Sequence, residues 1–294
     1  MSDILYIIGN GFDLHHGMKT SYNNFKLYLK EKHGSIFNTV DNFLNIDENW
    51  SDFEEALGDL DIDYLEDNAA SYLTSYGDEN WKETDNHDYE YQIAKNLNAL
   101  SLRLYECFFE WINTVELPID PTLLSLKPNA LFLTFNYTRT LSEIYKIPDS
   151  NVLHIHGSVE ERSNKIVLGH GWSPEERFQM INHIDENTDT RVASGYHAID
   201  KYFKYTHKSI ESILNKNQPF FSSLSSIRVV YVLGHSMSNV DLEYFRVIAS
   251  QVTPDTNWYV TYHEQKDVAR LSRALNTIRV SNKNIHFIKM EQIK

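Results

Sequence analysis

The chain has 294 residues, enough for one large domain or two modest ones with a sizeable core, and its 41% hydrophobic content excludes a disordered protein. A single cysteine, Cys107, excludes a disulfide framework and a multi-cysteine zinc module, and fits a reducing compartment. The net charge of −14 is concentrated in residues 41–90, which hold 17 acids and one base. Such an acidic lobe repels phosphate backbones, so we expect no direct nucleic-acid partner.

The sequence predicts neither a membrane span nor a secretory signal. No apolar run approaches the roughly 18 residues that a membrane span needs, and residues 1–3 lack the basic region of a secretory signal. We therefore expect a cytoplasmic protein without a membrane partner. The acidic lobe, residues 41–90, is either a solvated helical surface or a docking face for a basic partner or regulator. The helical insertion that contains it is a candidate surface for a homo-oligomer or a regulatory partner protein.

The first half of the chain predicts one strand and then mostly helices. The apolar run at residues 5–8 ends in two glycines, which indicates a buried strand followed by a tight turn. Residues 51–54 have the form of a helix capping box. Residues 91–111 carry apolar side chains at helical spacing and predict a long amphipathic helix. Pro118, Pro121 and Pro128 follow this helix.

The second half of the chain alternates predicted strands with predicted helices. The strands are residues 130–134, 152–155, 227–233, 258–262 and 285–288, with 165–168 as a further candidate. The helices are residues 138–147, 196–215, 265–275 and one that begins near Asp241. This order predicts a single α/β domain, residues 1–294, with a Rossmann-like, mostly parallel sheet flanked by helices. Residues 21–128 would form a large helical insertion after the first strand.

Unusual polar residues follow four of the predicted strands. Open α/β sheets bind ligands at the carboxyl ends of their strands, so these residues predict one shared crevice. They are residues 9–13, 135–137, 156–157 and 234–236.

Gly9 and Gly11 form part of a dinucleotide-binding fingerprint, in which glycines let the backbone approach a phosphate. The third glycine position is occupied by Leu14, and no acidic residue can be placed about 20 residues on at the end of a second strand. These departures disfavour a conventional dehydrogenase. The alternative interpretation is a plain turn between a strand and a helix.

Asn136 either orients a ribose hydroxyl or a water, or acts as an N-cap or turn residue. His154 and His156 alternate along a predicted strand and would share one face. One of them could act as a general base, since an imidazole titrates near neutral pH. Together with His170 or His235 they could instead bind a metal, although the sequence contains no strong metal-binding motif.

The segment Gly234-His235-Ser236 can contact a phosphate or a ribose through backbone amides and a hydroxyl. Ser238 replaces the final glycine of a nucleophile elbow, which disfavours a serine hydrolase. Asp241 is either an acid at the start of a helix or a ribose contact.

Taken together, residues 7–14, 50–54, 135–138, 154–157 and 234–236 resemble the AbiH family of bacteriophage abortive infection proteins. More distantly, the pattern is similar to the sirtuin-type NAD-binding fold. That resemblance implies that Gly9 and Gly11 hold the pyrophosphate and that Gly234 and Ser236 bind the adenosine side. It also implies that Asn136 contacts the nicotinamide ribose and that His156 is the catalytic base. The missing zinc module, and Thr138 where deacylases have an aspartate, disfavour protein deacylation.

The resemblance leads us to expect an NAD⁺ hydrolase in anti-phage defence, with NAD as its small nucleotide substrate and no metal. His156 and Asn136 would be catalytic. Three aromatic residues would either line the pocket or belong to the core, namely Phe12, Phe135 and Tyr137. One alternative is a module that binds NAD or ADP-ribose without turnover, and another is a metal-dependent nuclease or phosphoesterase that uses the histidines. The predicted binding residues are Gly9, Asn10, Gly11, Phe12, Asp13, Gly234, His235, Ser236 and Asp241.

Overall fold

The computed structural model describes residues 2–118, 123–160, 166–177 and 179–293, and the chain folds as two compact units. The sheet unit comprises Met1–Ser21, Phe109–Val167 and Ser209–Lys294. The helical unit comprises Tyr22–Phe108 and Leu168–Lys208. The predicted insertion, residues 21–128, contains the first segment of the helical unit. It does not contain the second segment, Leu168–Lys208, which follows strand β3 (Val152–His154) in the chain.

The sheet unit is built on six parallel strands in the order β3-β2-β1-β4-β5-β6. The strands are β1 (Ile4–Ile8), β2 (Leu131–Thr134), β3 (Val152–His154), β4 (Val229–Leu233), β5 (Asn257–Thr261) and β6 (Ile285–Ile288). This is the doubly wound order of Rossmann folds, in which the topology switches between β1 and β4. The predicted α/β class and parallel sheet are confirmed.

Twelve α-helices lie within the described residues. They are α1 (Asn10–His15), α2 (Tyr22–Lys32), α3 (Gly34–Phe43), α4 (Phe53–Ala56), α5 (Ile62–Ala69), α6 (Asp88–Asn98), α7 (Leu104–Asn113), α8 (Thr190–Thr206), α9 (Ile210–Lys216), α10 (Gln218–Ser222), α11 (Leu242–Gln251) and α12 (Gln265–Thr277). None of the helices in the described ranges is both long and apolar enough to cross a membrane.

The apolar sequence of β1 has a direct structural cause. On one face, Leu5 and Ile7 belong to a core that also contains residues of α11 and α12. On the other face, Tyr6 and Ile8 belong to a second core with Phe12 of α1. A central parallel strand is covered on both faces, and its sequence is therefore a continuous apolar run.

The long amphipathic helix predicted at residues 91–111 is confirmed, with one irregularity. Helices α6 and α7 are joined without a break by a π-helical segment, Ala99–Arg103. The whole predicted apolar stripe is buried, and it comprises Ile93, Leu97, Leu100, Leu104, Phe108 and Trp111.

Three predicted elements differ in the structure. Residues 138–147 form only a short π-helical segment, Thr140–Ile144. The described part of the candidate strand 165–168 contains no strand, and Lys165 lies outside the described residues. The predicted helix 196–215 is interrupted between α8 and α9 because the backbone there pairs with another segment. His170 N–H donates to Thr206 O (3.1 Å), and Lys208 N–H donates to His170 O (2.9 Å).

The capping box predicted at residues 51–54 is wrong. Helix α4 begins at Phe53, and its N-cap residue, Asp52, makes no capping hydrogen bond through its side chain. The Ser51 hydroxyl instead donates to Asp47. The Glu54 carboxylate accepts a hydrogen bond from the Tyr22 hydroxyl (2.6 Å) and pairs with the ammonium of Lys208 (2.8 Å). The Ser51 hydroxyl and the Glu54 carboxylate, which the local pattern assigned to the cap, therefore bind other residues of the helical unit.

Candidate active site

The four polar loops predicted from the sequence follow four neighbouring strands. In sheet order the strands are β3, β2, β1 and β4, and the residues that follow them include His156, Asn136, Gly9 and His235. The predicted convergence of these strand ends is confirmed. The loops after β1 and β4 lie at the topological switch point, where open α/β sheets bind their ligands.

The glycines at the switch point are required by contact between two loops. Gly9 N–H donates to Leu233 O (3.0 Å) and Gly11 N–H donates to Gly234 O (2.8 Å). A Cβ atom on Gly11 would lie 2.8 Å from Gly234 O, so a larger residue would push the loops apart. Phe12 N–H also bonds within the chain, to Gly9 O. These three amides would therefore have to exchange partners before they could bind a pyrophosphate.

Asn136 links the end of β2 to the loop after β1. Its side-chain Nδ2 donates to Gly9 O (3.1 Å), and its backbone N–H donates to the Thr134 hydroxyl (3.1 Å). It is not an N-cap, because the next helical segment begins at Thr140 with Arg139 in the capping position. The side chain is 7% exposed. Its carboxamide is thus held in a fixed position at the sheet edge.

A buried carboxylate, Asp13 of α1, contacts the segment that follows β2. It accepts hydrogen bonds from the hydroxyls of Thr138 (2.6 Å) and Thr140 (2.8 Å). Burial raises the pKa of Asp13 to about 6, and hydrogen bonds from Thr138, Thr140 and Asn136 only partly oppose this rise. Asp13 therefore connects α1 to the segment after β2 through two buried hydrogen bonds.

We expect Asp13→Asn to change how stability depends on pH. The Asp13 pKa rises from 3.8 in the unfolded chain to about 6 in the folded state, so between these values the folded state binds more protons. Its contribution to the free energy of unfolding should fall by about 3 kcal/mol as the pH rises through this window. Urea unfolding of both proteins from pH 4 to 7 measures the difference. If the difference in unfolding free energy between wild type and variant did not change with pH, the prediction would be contradicted.

The predicted shared face of His154 and His156 is not observed, because β3 ends at His154. The backbone then turns, and Gly157 N–H donates to His154 O (3.2 Å). His154 Nδ1 lies 3.1 Å from Asn136 O. The His156 ring packs edge-on against Phe135, with ring centroids 5.1 Å apart, and is 2% exposed. The two imidazoles therefore have different surroundings.

His156, Asp241 and His235 form a cluster that the sequence did not predict. His156 Nε2 lies 3.8 Å from Asp241 Oδ1, and His235 Nε2 lies 3.6 Å from Asp241 Oδ2. The backbone between the last two residues passes through Met237 in a left-handed conformation (φ 53°). No periodicity marks that turn, which is why the sequence indicated Asp241 only as a helix acid or a ribose contact.

The other predicted binding residues lie at different depths. Phe12 is fully buried and packs against His16 and Tyr145. The Asn10 side chain donates to Thr20 O (2.9 Å), whereas Ser236 is exposed. Phe12 and Asp13 thus support the site from within, while Ser236 is accessible to a ligand.

The aromatic residues beside Asn136 are also buried. Phe135 packs edge-on against His235, with ring centroids 4.3 Å apart, as well as against His156. The Tyr137 hydroxyl donates to Val167 O (2.8 Å). Phe135 therefore forms an apolar wall beside the two imidazoles.

His170, a member of the alternative metal set, belongs to the helical unit. Its Nε2 lies 3.1 Å from Phe203 O, and its ring stacks on Trp172. Burial lowers its pKa to about 4. Throughout the part of the chain that the structure describes, no group of three or more His, Cys, Asp or Glu side chains is placed to hold a metal. The metal-dependent alternative gains no support from these residues.

The fold and the site define a Rossmann-like α/β protein with a polar cluster beside its topological switch point. The family model described as "Bacteriophage abortive infection AbiH" matches residues 5–262 of this chain, which therefore belongs to the AbiH family. The family description indicates a role in anti-phage abortive infection. The same comparisons found no matching curated protein and no matching solved structure.

Proposed function

We propose that this AbiH protein hydrolyses NAD⁺ at the bond between nicotinamide and ribose. The observation that carries the proposal is the adjacency of four strand ends, which brings the His156 imidazole and the Asn136 carboxamide to one edge of a doubly wound sheet. That edge is where such sheets bind nucleotides. The family's role in abortive infection fits an enzyme that depletes an essential nucleotide.

The chemistry requires few groups. Water attacks the anomeric carbon of the ribose while the C–N bond breaks, and the bonding electrons go to the pyridinium nitrogen. Nicotinamide leaves as a neutral molecule, so no general acid is needed. His156 would accept the proton of the attacking water or of a ribose hydroxyl, a role worth roughly 10²–10⁴-fold in rate. The products are nicotinamide, ADP-ribose and a proton.

Asn136 would position the ribose. Its side-chain nitrogen donates to Gly9 O, and its hydrogen bond also lowers the pKa of Asp13. With the amide nitrogen used by the protein, the carbonyl oxygen Oδ1 is the group that would accept a hydrogen bond from a ribose hydroxyl. A fixed acceptor of this kind lowers the entropic cost of aligning the sugar with the water.

The proposed catalytic residues are buried, which limits how a substrate can reach them. His156 is 2% exposed and Asn136 is 7% exposed, so a substrate reaches them only when neighbouring residues move. A toxic hydrolase has to stay inactive until it is triggered. The test therefore includes the triggered state as well as the purified protein.

The decisive experiment measures nicotinamide and NAD⁺ by mass spectrometry, with purified protein and with expressing cells before and after phage infection. We expect His156→Ala and Asn136→Ala to reduce nicotinamide release at least 100-fold. His87→Ala and Asn42→Ala, at exposed positions of the helical unit, serve as matched controls and should retain full activity.

Other outcomes point to the alternatives. Undiminished release in both site variants would overturn the assignment. Tight NAD⁺ binding without turnover in any state would favour the binding module. Activity that a chelator abolishes would favour the metal-dependent enzyme.

A further inference from the structure

We propose that a cleft on one face of the sheet binds a small molecule that carries a phosphate or carboxylate group on an apolar body. The cleft has a volume of about 200 Å³, and residues of β1, β4, β5 and β6 line it. Sites for drug-sized ligands have volumes of roughly 300–1,000 Å³, so this cleft is too small for a dinucleotide. It is therefore a second site, and it does not rest on the proposed hydrolase activity.

Three tyrosines form the floor of the cleft. Tyr6, Tyr231 and Tyr259 lie at matching positions of β1, β4 and β5, because the parallel register pairs Tyr6 with Tyr231 and Tyr231 with Tyr259. Their rings stack in a row, with centroids 5.1 Å apart at both contacts. Side chains stand roughly perpendicular to a sheet. The hydroxyl ends of the row therefore face the cleft and not the sheet.

Two of these hydroxyls are available to a ligand. Within the described residues, the hydroxyls of Tyr231 and Tyr259 have no hydrogen-bond partner in the protein, although both side chains are half-buried. Burial raises the pKa of Tyr231, so its hydroxyl keeps its proton at neutral pH and can donate. A half-buried donor without a partner gains a hydrogen bond when a ligand brings an acceptor.

The other groups around the cleft determine which ligand it fits. None of its nine lining residues is acidic, although the chain carries a net charge of −14. Lys127 and Ser125 lie at its exposed rim and add an ammonium and a hydroxyl. An ammonium beside neutral hydroxyls favours an oxyanion over a cation. Three isoleucines also line the cleft and provide apolar surface for the body of the ligand.

The test uses phenyl phosphate as the probe and benzyl alcohol as an uncharged probe of similar shape. Both are titrated into the full-length protein labelled with carbon-13 in its tyrosine rings. Spectra of Tyr231→Phe and Tyr259→Phe assign the two signals. We expect phenyl phosphate to shift both signals and to bind at least about 10-fold more tightly than benzyl alcohol, because a hydrogen bond to a charged group is stronger than one to a neutral group.

Substitutions separate the charge from the hydroxyls. Lys127→Gln should weaken phenyl phosphate binding at least about 10-fold and change benzyl alcohol binding less than about twofold. The double variant Tyr231→Phe/Tyr259→Phe keeps the stacked rings but removes two donors, and tryptophan-independent calorimetry should show binding weakened about 10-fold. Lys283→Gln is the matched control, because the Lys283 ammonium pairs with exposed Asp255 (3.6 Å) outside the cleft.

Three results would overturn the proposal. The first is that phenyl phosphate, at concentrations up to about 10 mM, leaves the Tyr231 and Tyr259 signals unchanged. The second is equal affinity for phenyl phosphate and benzyl alcohol, which would show a cleft without anion recognition. The third is an equal affinity of Lys127→Gln and Lys283→Gln for phenyl phosphate. Nicotinamide release enters none of these measurements, so the outcome is independent of the proposed hydrolase.

Discussion

Replacing Lys208 by methionine is expected to destabilise the helical unit by about 3–5 kcal/mol. The Lys208 side chain is fully buried, and its ammonium lies 2.8 Å from the Glu54 carboxylate, whose side chain is 17% exposed. Tyr22 also donates to this carboxylate, with a 2.6 Å bond to Oε1. The methionine would leave an ionised carboxylate largely out of water without its cation. Loss of a partner costs far more than the pair itself contributes.

Urea unfolding followed by circular dichroism measures this loss. Lys266→Met is the matched control, because Lys266 pairs with Glu264 at a similar distance, 2.7 Å, but both side chains are more than half exposed. We expect its unfolding midpoint to equal that of the wild type. The double variant Glu54→Leu/Lys208→Met should recover much of the loss, since no unpaired charge remains. Equal midpoints for Lys208→Met and Lys266→Met would refute the prediction.

The same ion pair shows where sequence reasoning about the fold stops. Residues 51–54 satisfy the local pattern of a capping box, but Glu54 pairs with Lys208, which is 154 residues away in the chain. The break between α8 and α9 has a similar origin, since His170 supplies the backbone partners of Thr206 and Lys208. No local propensity indicates such long-range partners. Strands β1, β2 and β4 were predictable because they are mostly buried and their sequences are largely apolar runs.

The candidate site was also predictable only in part. The sequence placed Gly9, Asn136, His156 and His235 at strand ends, and a parallel sheet brings such ends to one edge. The partners of these groups depend on turns that carry no periodic signal. The Met237 turn places Asp241 beside two imidazoles, and the end of β3 at His154 separates His154 from His156. The strand end at which each site residue lies was therefore predictable, but the direction and partners of its side chain were not.

Gly234→Ala is expected to disrupt the sheet unit, whereas Gly17→Ala should be tolerated. Both glycines have left-handed backbones, with φ of 64° at Gly234 and 75° at Gly17, a conformation that costs an alanine about 1–2 kcal/mol. A Cβ atom on Gly17 would meet nothing within 4 Å. On Gly234 it would overlap the backbone of Gly11 and Phe12, which cannot move aside as a side chain can. The difference between the two variants therefore isolates the contact between the loops.

Thermal unfolding and the yield of folded protein measure this difference. We expect Gly17→Ala to lower the melting temperature by a few degrees, and Gly234→Ala to lose most of a typical domain stability of about 5–15 kcal/mol. Similar melting temperatures for the two variants would show that the loops separate without cost. The overlap would break the bond from Gly11 N–H to Gly234 O and separate the loops after β1 and β4. Any folded Gly234→Ala protein should therefore lose NAD⁺ binding as well, because these loops form the switch point at which the nucleotide is proposed to bind.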